Sequence, residues 1–418
     1  MKTFRMMAAL ALCLSLLFAL GCASEPEKKA EDKAPAKTEA PAPAATEAKA
    51  DAKPLTMGLI LVGPYNDKGY SQAQYEGGKY VENKMGGKLI YLDKVNPADR
   101  PGLTIPQVVD DLLSKGADFI VAGSDDMTDG ILEAAAQHPD TIFIHASGDA
   151  ALTGKGPKNL GNVFARMIYP KMMAGFSAGM TTQTGKIGIV GPLINAETRR
   201  LIVSAYLGAR YAWTQVRGKD AKDLTFSVKW IGFWFNIPGV TADPTQMAGS
   251  LYDSGCDVVL SGIDTPEVVT VAQQRRDAGK NVWALPYDYE KACEGQGGVC
   301  VGVPYFNWGP MLLKVAQEVK AGTYKSSFEW EAPYWADIND HDKSPVGFMP
   351  GEGMSADVKK ALDEFVAKLG TGEVNLFKGP LNYQDGSVFL KDGETATDKQ
   401  IWYMPQLLEG MEGLSSPK

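Results

Sequence analysis

Aromatic and acidic residues follow the predicted strands of this chain at several positions, and together they could bind a small flat molecule. The candidate binding residues are Asp67, Tyr70, Tyr75, Asp125, Asp126, Trp234, Phe235, Asn236, Asp264, Asp288, Asn307 and Trp308. Stacking of a nucleobase on an aromatic ring contributes roughly 1–3 kcal/mol, and carboxylates accept hydrogen bonds from amines, ring N–H groups or ribose hydroxyls. The set favours a nitrogen-rich ligand, although sugar-binding clefts also combine aromatic rings with Asp and Asn.

Several of these residues also have a structural interpretation. Asp67, or Asn66 before it, suits the N-cap of the helix that follows the first strand. The carboxylates of Asp125 and Asp126 can solvate a loop and favour the start of the next helix. In the aromatic run at 233–235, alternation along an extended chain buries one ring and exposes its neighbour, so we expect at least one ring to face the ligand.

The apolar runs that precede these residues alternate with helical stretches. Strands are predicted at residues 55–62, 88–92, 118–122, 141–145, 186–190, 226–231, 257–260, 282–285 and 299–303. Helices are predicted at 72–85, 105–115, 129–137, 170–182, 196–213, 244–252, 266–278 and 309–320. This alternation predicts an α/β fold with two open parallel sheets covered by helices on both faces. Because ligands of such sheets bind beyond the carboxyl ends of the strands, we expect the candidate residues to meet in a cleft between two lobes.

The first 54 residues have a different character. Residues 1–21 begin with Lys2 and Arg5 and continue as an apolar run too short for a comfortable membrane span, which indicates a secretory signal peptide. Gly21 before Cys22 resembles a bacterial lipobox, so we expect Cys22 to be lipidated; an ordinary signal peptide with an incidental cysteine is the alternative. Residues 22–54 lack aromatic residues, Val, Ile and Leu, and we interpret them as the lipidated Cys and a disordered tether.

Composition and motifs exclude several classes of function. The chain has 418 residues and a formal net charge of −8, which argues against nucleic-acid binding. Three histidines and five cysteines leave little material for a metal site. Since the sequence contains neither a phosphate-binding loop nor a Gly-x-Gly-x-x-Gly turn after a strand, no cofactor is expected. Cys293 and Cys300 suit a disulfide in an exported chain, and we interpret Cys256 as a small buried hydrophobe.

The sequence Gly-Phe-Ser-Ala-Gly at residues 175–179 matches the nucleophile elbow of α/β-hydrolases. That motif requires a strand before Ser177 and a sharp turn at it, whereas the preceding residues are predicted to be helical. Gly175 and Gly179 lie one helical turn apart, which favours close helix packing. A hydrolase that uses Ser177 is therefore a remote alternative, and we do not expect an enzyme.

Several segments together match the pattern of one protein family. They are Asp-Lys-Gly-Tyr-Ser-Gln at 67–72 with Tyr-Glu-Gly at 75–77, Met-Met-Ala-Gly-Phe-Ser-Ala-Gly at 172–179, Lys-Ile-Gly-Ile-Val at 186–190, Trp-Phe-Asn-Ile-Pro at 234–238, Asn-Trp-Gly-Pro at 307–310, and the tail at 375–413. Over residues 55–413 the chain resembles the basic membrane protein (Bmp), or PnrA-like, family of bacterial lipoproteins, which are substrate-binding proteins of ABC importers.

The resemblance implies the type I periplasmic-binding fold, in which two Rossmann-like lobes joined by a hinge close on a ligand. The implied N-terminal lobe is 55–165, completed by about 288–325, and the C-terminal lobe is 166–287, completed by about 326–413. Tyr70 and Tyr75 would line the first lobe, while Trp234 and Phe235 would stack from the second. The implied hydrogen-bonding residues are Asp264 and Asp288, with Asn307 and Trp308 nearby.

The chain departs from the family pattern at three places. Asp125 and Asp126 replace aromatic residues, Asn236 replaces an aspartate, and Asn307 or Phe306 replaces a ribose-binding lysine. A free purine base such as adenine therefore fits as well as a nucleoside, or better. The implied protein is lipid-anchored to the bacterial cell membrane, faces the periplasm or the exterior, and serves an ABC permease and its ATPase. A signalling or adhesion lipoprotein with a solute-sensing cleft is the alternative.

Overall fold

The structure is a computed structural model that describes residues 53–417. The predicted signal peptide, the lipidation site at Cys22 and almost the whole tether lie outside the described residues. Within residues 53–417, no helix is long and apolar enough to cross a membrane.

Short strands alternate with helices through most of the described chain. The strands are β1 (Thr56–Ile60), β2 (Lys88–Leu92), β3 (Phe119–Ala122), β4 (Ile142–His145), β5 (Leu160–Ala165), β6 (Lys186–Gly191), β7 (Thr225–Trp230), β8 (Val258–Ser261), β9 (Trp283–Leu285), β10 (Gly302–Phe306), β11 (Phe328–Glu331), β12 (Val346–Pro350), β13 (Leu381–Asn382), β14 (Val388–Leu390) and β15 (Met411–Glu412). The α-helices are α1 (Tyr70–Met85), α2 (Ile105–Ser114), α3 (Thr128–Gln137), α4 (Ala150–Thr153), α5 (Ile168–Thr181), α6 (Ala196–Tyr211), α7 (Pro244–Asp253), α8 (Glu267–Asp277), α9 (Gly309–Ala321), α10 (Ala356–Thr371) and α11 (Asp398–Trp402).

These strands form two parallel sheets, which confirms the predicted fold class. The first sheet has the order β11-β5-β4-β3-β1-β2, and the second has the order β15-β7-β6-β8-β9. Every pairing within the two sheets is parallel. The antiparallel pairs β10–β12 and β13–β14 lie outside the two large sheets. Since neighbouring strands run in the same direction, their carboxyl ends lie at one edge of each sheet.

Local signals set the helix starts that border the later site. The side chain of Asn195 accepts a hydrogen bond from the Thr198 N–H while the Thr198 side chain bonds the Asn195 backbone, and this capping box begins α6. Asp243 caps α7 directly before Pro244, whose fixed φ suits a first helical position. These caps hold the helix N-termini next to the strand ends that precede them.

Three strands are among the elements that differ from the sequence-based expectations. Strand β5 was not predicted because Gly161 and Asn162 interrupt its apolar run; the Asn162 side chain instead ties β5 to the neighbouring loop through Ser147 O and the Ala151 N–H. Strand β11 pairs with β5 in the first sheet, whereas the sequence analysis assigned residues from 326 onward to the C-terminal lobe. The strand expected at 299–303 lies further along the chain, as β10.

The Gly-x-Ser-x-Gly motif lies in the middle of helix α5 and forms no elbow. Ser177 is fully buried, and its Oγ donates a hydrogen bond to Met173 O one turn earlier, at 2.8 Å. The Ser177 hydroxyl is therefore hydrogen-bonded within its own helix and is inaccessible to a substrate. This removes the basis of the hydrolase alternative.

Helices α5 and α6 are packed backbone to backbone. A Cβ atom built on Gly175 would overlap the carbonyl of Ala205, and one built on Gly208 would overlap the carbonyl of Met172. Glycine is required at both positions because the opposing main chain occupies the space of a side chain.

The structure joins Cys293 and Cys300 in a disulfide, the pairing that the sequence analysis put forward. Cys256 is buried and unpaired in the described part of the chain, as expected for a small hydrophobe.

Because α5 and α6 approach so closely, we predict that a Gly→Ala substitution changes stability in opposite directions at two helical glycines. Gly175→Ala should lower the free energy of unfolding by about 1–3 kcal/mol, because the methyl group forces the helices apart. Gly249→Ala in α7 meets only the Arg275 guanidinium at 3.5 Å and should be neutral or stabilising by up to about 1 kcal/mol. Chemical denaturation of both variants measures the difference. Equal stability of Gly175→Ala and the wild type would contradict this packing.

Candidate functional site

A cavity lies where the carboxyl ends of the two sheets face each other. The space between its lining atoms amounts to about 510 Å³, a volume that includes its opening to solvent. Its lining residues are Tyr70, Ser124, Asp125, Ser147, Lys171, Pro192, Glu197, Thr198, Leu201, Ile202, Trp234, Gly262, Asp264, Tyr287 and Asp288. Most of them directly follow a strand, so parallel pairing is what brings them together.

Three aromatic side chains give the cavity flat surfaces. Trp234 follows β7, is 9% exposed, and is held by a hydrogen bond from the Asp264 N–H to its carbonyl, at 3.0 Å. Tyr70 begins α1 and meets the ring of Trp308 edge to face, with centroids 5.8 Å apart. Tyr287 lies after β9 beside Asp288. The rings therefore come from both sheets.

Two buried carboxylates, Asp264 and Asp288, lie at the ends of β8 and β9. Burial raises the pKa of Asp264 well above its ordinary value, and repulsion from Asp288 raises it further. Burial likewise raises the pKa of Asp288, although the ammonium group of Lys171 opposes the shift. Both acids are therefore held in surroundings that disfavour the charged form.

The backbone of Asp288 has a left-handed conformation, with φ at +73°. Such a conformation costs a non-glycine residue free energy and needs support from its surroundings. The Asp288 N–H donates to Pro304 O and the Phe306 N–H donates to Asp288 O, each at 3.1 Å. These two bonds to β10 fix the direction in which the carboxyl group enters the cavity.

The cation beside these acids comes from a helix. Lys171 of α5 is 1% exposed, and its Nζ donates to Ser261 O at 2.9 Å. The same Nζ lies 3.1 Å from the centroid of the Tyr287 ring, in a cation–π contact. Burial lowers the pKa of Lys171 to about 7, although Asp288 and Asp264 oppose the shift.

Hydrogen bonds join the two sheets across another wall of the cavity. Ser147, after β4, donates to Oε2 of Glu197 in α6 at 3.0 Å, and Asn195 donates to Asp125 at 3.3 Å. Arg200 lies 3.3 Å from the same Glu197 oxygen and 4.0 Å from the centroid of the Trp402 ring. Burial raises the pKa of Glu197, while Arg200 opposes the shift. The two sides of the cavity are thus held in contact.

A second contact between the sheets involves main chain only. A Cβ built on Gly69, in the loop after β1, would overlap the carbonyl of Asp264 after β8. Glycine at this position lets the two loops touch, and the cavity is closed at that point.

Among the residues predicted from sequence, the structure brings Tyr70, Asp125, Trp234, Asp264 and Asp288 together in the cavity. Three other predicted residues on the side of the first sheet lie outside it. Asp67 accepts hydrogen bonds from the backbone of Gly69, Ser71 and Gln72 at the start of α1, and burial raises its pKa to about 6 despite those bonds. Tyr75 packs against Tyr65 and Tyr91, with centroids 5.2 and 5.0 Å away, and Asp126 is exposed.

The remaining predicted residues also serve the surrounding structure. Phe235 packs against Phe233 and the apolar cluster of the first sheet. Asn236 accepts a hydrogen bond from Thr241 Oγ1 at 3.2 Å. Asn307 donates to the carbonyls of His341 and Ser344. Trp308 is buried in the core, stacked on Phe306 at 5.0 Å.

Sequence reasoning missed Lys171, Glu197 and Ser147. Glu197 and Ser147 follow strands β6 and β4, so the strand-end rule could have found them. Lys171 carried no such signal, because it lies inside a helix with an otherwise apolar composition. Among residues 53–417, no group of His, Cys, Asp and Glu side chains is arranged to hold a metal ion.

Comparison with known proteins places this architecture in a family. The family model for ABC transporter substrate-binding protein PnrA-like (Bmp) matches residues 55–303. A purine-binding protein of Brucella abortus (strain 2308) is 29% identical over 359 residues, which cover 86% of this chain and 93% of the relative. A protein of Haloferax volcanii, assigned by name as an ABC transporter glucose-binding protein, is 26% identical over 357 residues, 85% of this chain and 79% of the relative.

Solved structures share the fold. An ABC transporter solute-binding protein from Aeropyrum pernix K1 has a TM-score of 0.62 and 13% identity, and the match covers 85% of this chain and 100% of that one. The family consists of extracytoplasmic substrate-binding proteins, not enzymes, which work with a small-molecule ligand and a permease. Because its model matches more than half of the chain, from β1 into β10, this protein belongs to the PnrA-like family of ABC transporter substrate-binding proteins.

Proposed function

We propose that this protein is a lipid-anchored receptor that captures a purine-type ligand between its two lobes and delivers it to an ABC permease. The ligand is a free base such as adenine, or a nucleoside. The observation that carries the proposal is the pairing of the Trp234 ring with the buried carboxyl groups of Asp264 and Asp288 in one closed cavity.

The electrostatics of the cavity support a donor-rich ligand. Asp125, Glu197, Asp264 and Asp288 line it, whereas Lys171 supplies the one ammonium group of the lining. Buried acids need hydrogen-bond donors, because water has been removed from them. A purine supplies N–H groups at the edge of a flat ring, so one ligand can stack on Trp234 and bond the acids together. Since Lys171 is the one cation of this lining, a phosphate would lack positive charges to balance its own, which disfavours nucleotides.

The contacts between the sheets support capture by closure. The hydrogen bond from Ser147 to Glu197 and the contact of Gly69 with Asp264 both join groups from opposite sides of the cavity. A hinge opening that separated the lobes would break these contacts and admit solvent to the acids. Ligand binding would then stabilise the closed form, as expected for two lobes that close around a solute.

Titration calorimetry with a panel of ligands tests the proposed function. We expect adenine, guanine, hypoxanthine, adenosine or guanosine to bind, and glucose not to bind, since a saturated ring lacks the N–H edge and the flat face. Mass spectrometry of any small molecule released on denaturing the purified protein checks the ligand independently. Binding of glucose without binding of any purine would contradict the ligand assignment and leave the receptor assignment in place.

Removal of the Trp234 ring should weaken purine binding. Trp234→Ala should raise the Kd roughly 5- to 150-fold, which corresponds to the loss of one stacking contact of about 1–3 kcal/mol. Tyr75→Ala is the matched control, because Tyr75 packs on Tyr65 and Tyr91 away from the cavity. Calorimetry of the two variants should show a change in Kd for Trp234→Ala only. An unaltered Kd for Trp234→Ala would remove this ring from the site.

The proposed anchor makes a separate prediction for two leader cysteines. Cys22→Ser should move the full-length protein from the membrane fraction to the soluble fraction of a bacterial host, since lipid chains hold a protein through their buried methylenes. Cys13→Ser, inside the predicted signal peptide, should leave the protein with the membranes. Immunoblots of the two fractions provide the measurement. Retention of Cys22→Ser in the membrane fraction would contradict lipidation at Cys22.

A further inference from the structure

Asp288 differs from the other acids of the cavity because its carboxyl oxygens are both fully buried and without a hydrogen-bond partner in the described residues. Its side chain has no exposed surface, and by distance and angle neither of its oxygens has a hydrogen-bond partner among residues 53–417, although the adjacent Tyr287 hydroxyl is near enough to lower its pKa. Glu197 and Asp125, in contrast, accept bonds from Ser147 and Asn195, and Asp264 keeps 5% of its surface exposed. A bound ligand is therefore the natural partner of both Asp288 oxygens.

The groups around Asp288 do not supply enough positive charge for an ionised carboxylate. The charged and titratable groups that face it are Lys171, Asp67, Asp264, Glu197, Tyr70 and Tyr287. Lys171 is the single cation among them, and its Nζ donates to Ser261 O. Several acids thus share the electrostatic stabilisation from one ammonium group, which favours the protonated form of a buried acid in that position.

The backbone holds Asp288 in this position independently of its charge. The positive φ and the two main-chain bonds to β10 aim the side chain into the cavity. In the closed form the carboxyl group has no exposed surface, so it contacts the bound ligand with the protonation state that its surroundings there favour. Burial, together with Asp67 and Glu197, raises the pKa of Asp288 well above its ordinary value, and Lys171 and the adjacent Tyr287 hydroxyl oppose this shift.

We propose that Asp288 binds the ligand as a neutral carboxylic acid, which donates one hydrogen bond and accepts one at the same edge of the ligand. This inference rests on the proposed purine function, and it identifies the edge of the ligand that forms hydrogen bonds with Asp288. The complement is a donor directly beside an acceptor, such as the amino group and ring N1 of adenine, or N1–H and O6 of hypoxanthine. An ionised carboxylate would instead suit two adjacent donors, such as a ribose diol or the N1–H and 2-amino group of guanine.

Substitution of Asp288 distinguishes these two states. Asparagine also presents one donor beside one acceptor, and it tolerates a positive φ. Glycine tolerates the same φ but removes the side chain. We expect Asp288→Gly to bind adenine roughly 10- to 100-fold more weakly than wild type, and Asp288→Asn to recover at least about tenfold of that loss. Calorimetry with adenine provides the Kd values.

The pH dependence of adenine binding distinguishes an Asp288 that contacts the ligand from one that has only a structural role. The neutral acid predominates below its raised pKa, so the wild-type affinity for adenine should fall as the pH rises through that pKa. Asp288→Asn should lack this fall. Burial lowers the pKa of Lys171 to about 7, so this lysine titrates as well, and the readout is the difference between the pH profiles of the two proteins, not the wild-type profile alone.

The outcomes separate this inference from the proposed function. Tight wild-type binding that Asp288→Asn abolishes, or an affinity that increases with pH, would show an ionised Asp288 and overturn the inference alone. Equal Kd values for Asp288→Gly and wild type would also overturn it, since Asp288 would not contact the ligand. Absence of binding by every purine and nucleoside tested would overturn the proposed function and the inference together.

Discussion

Two buried acids that share one buried ammonium group are the constraint on which this site depends. Asp264 and Asp288 enter the cavity from the ends of β8 and β9, and Lys171 reaches the same place from α5. Because these groups are buried, their hydrogen bonds come from protein or ligand groups and not from bulk water. The protein leaves both oxygens of Asp288 without a partner among its described residues. Ligand choice then follows from which molecule can supply the missing hydrogen bonds.

The fold provides this arrangement through close backbone contacts. Gly175 and Gly208 let α5 and α6 approach until their main chains touch, which fixes the helix that carries Lys171. Gly69 allows the loop after β1 to reach the carbonyl of Asp264 on the other sheet. The left-handed backbone of Asp288 is held by β10. The charged groups therefore occupy fixed positions that side-chain packing alone would not determine.

The sequence predicted the fold class and part of the site, because both depend on local patterns. Alternating strands and helices define parallel sheets, and the strand-end rule located Tyr70, Asp125, Trp234, Asp264 and Asp288. The rule gives a position along the chain but no side-chain direction, so it left Asp67 as either a ligand contact or an N-cap, and the structure shows its carboxylate capping α1. Nor could it find Lys171, which reaches the cavity from inside a helix. Strand β5 was missed because its buried Asn162 breaks the apolar pattern. The amide of Asn162 forms tertiary hydrogen bonds, which a hydrophobic pattern cannot indicate.

A crystal structure of the protein with bound adenine tests the central claim most directly. The account predicts a purine ring against Trp234, with ligand nitrogens at hydrogen-bond distance, about 2.7–3.2 Å, from the carboxyl oxygens of Asp288. A ligand bound elsewhere, or a ligand in the cavity whose nitrogens leave Asp288 without a hydrogen bond, would contradict it.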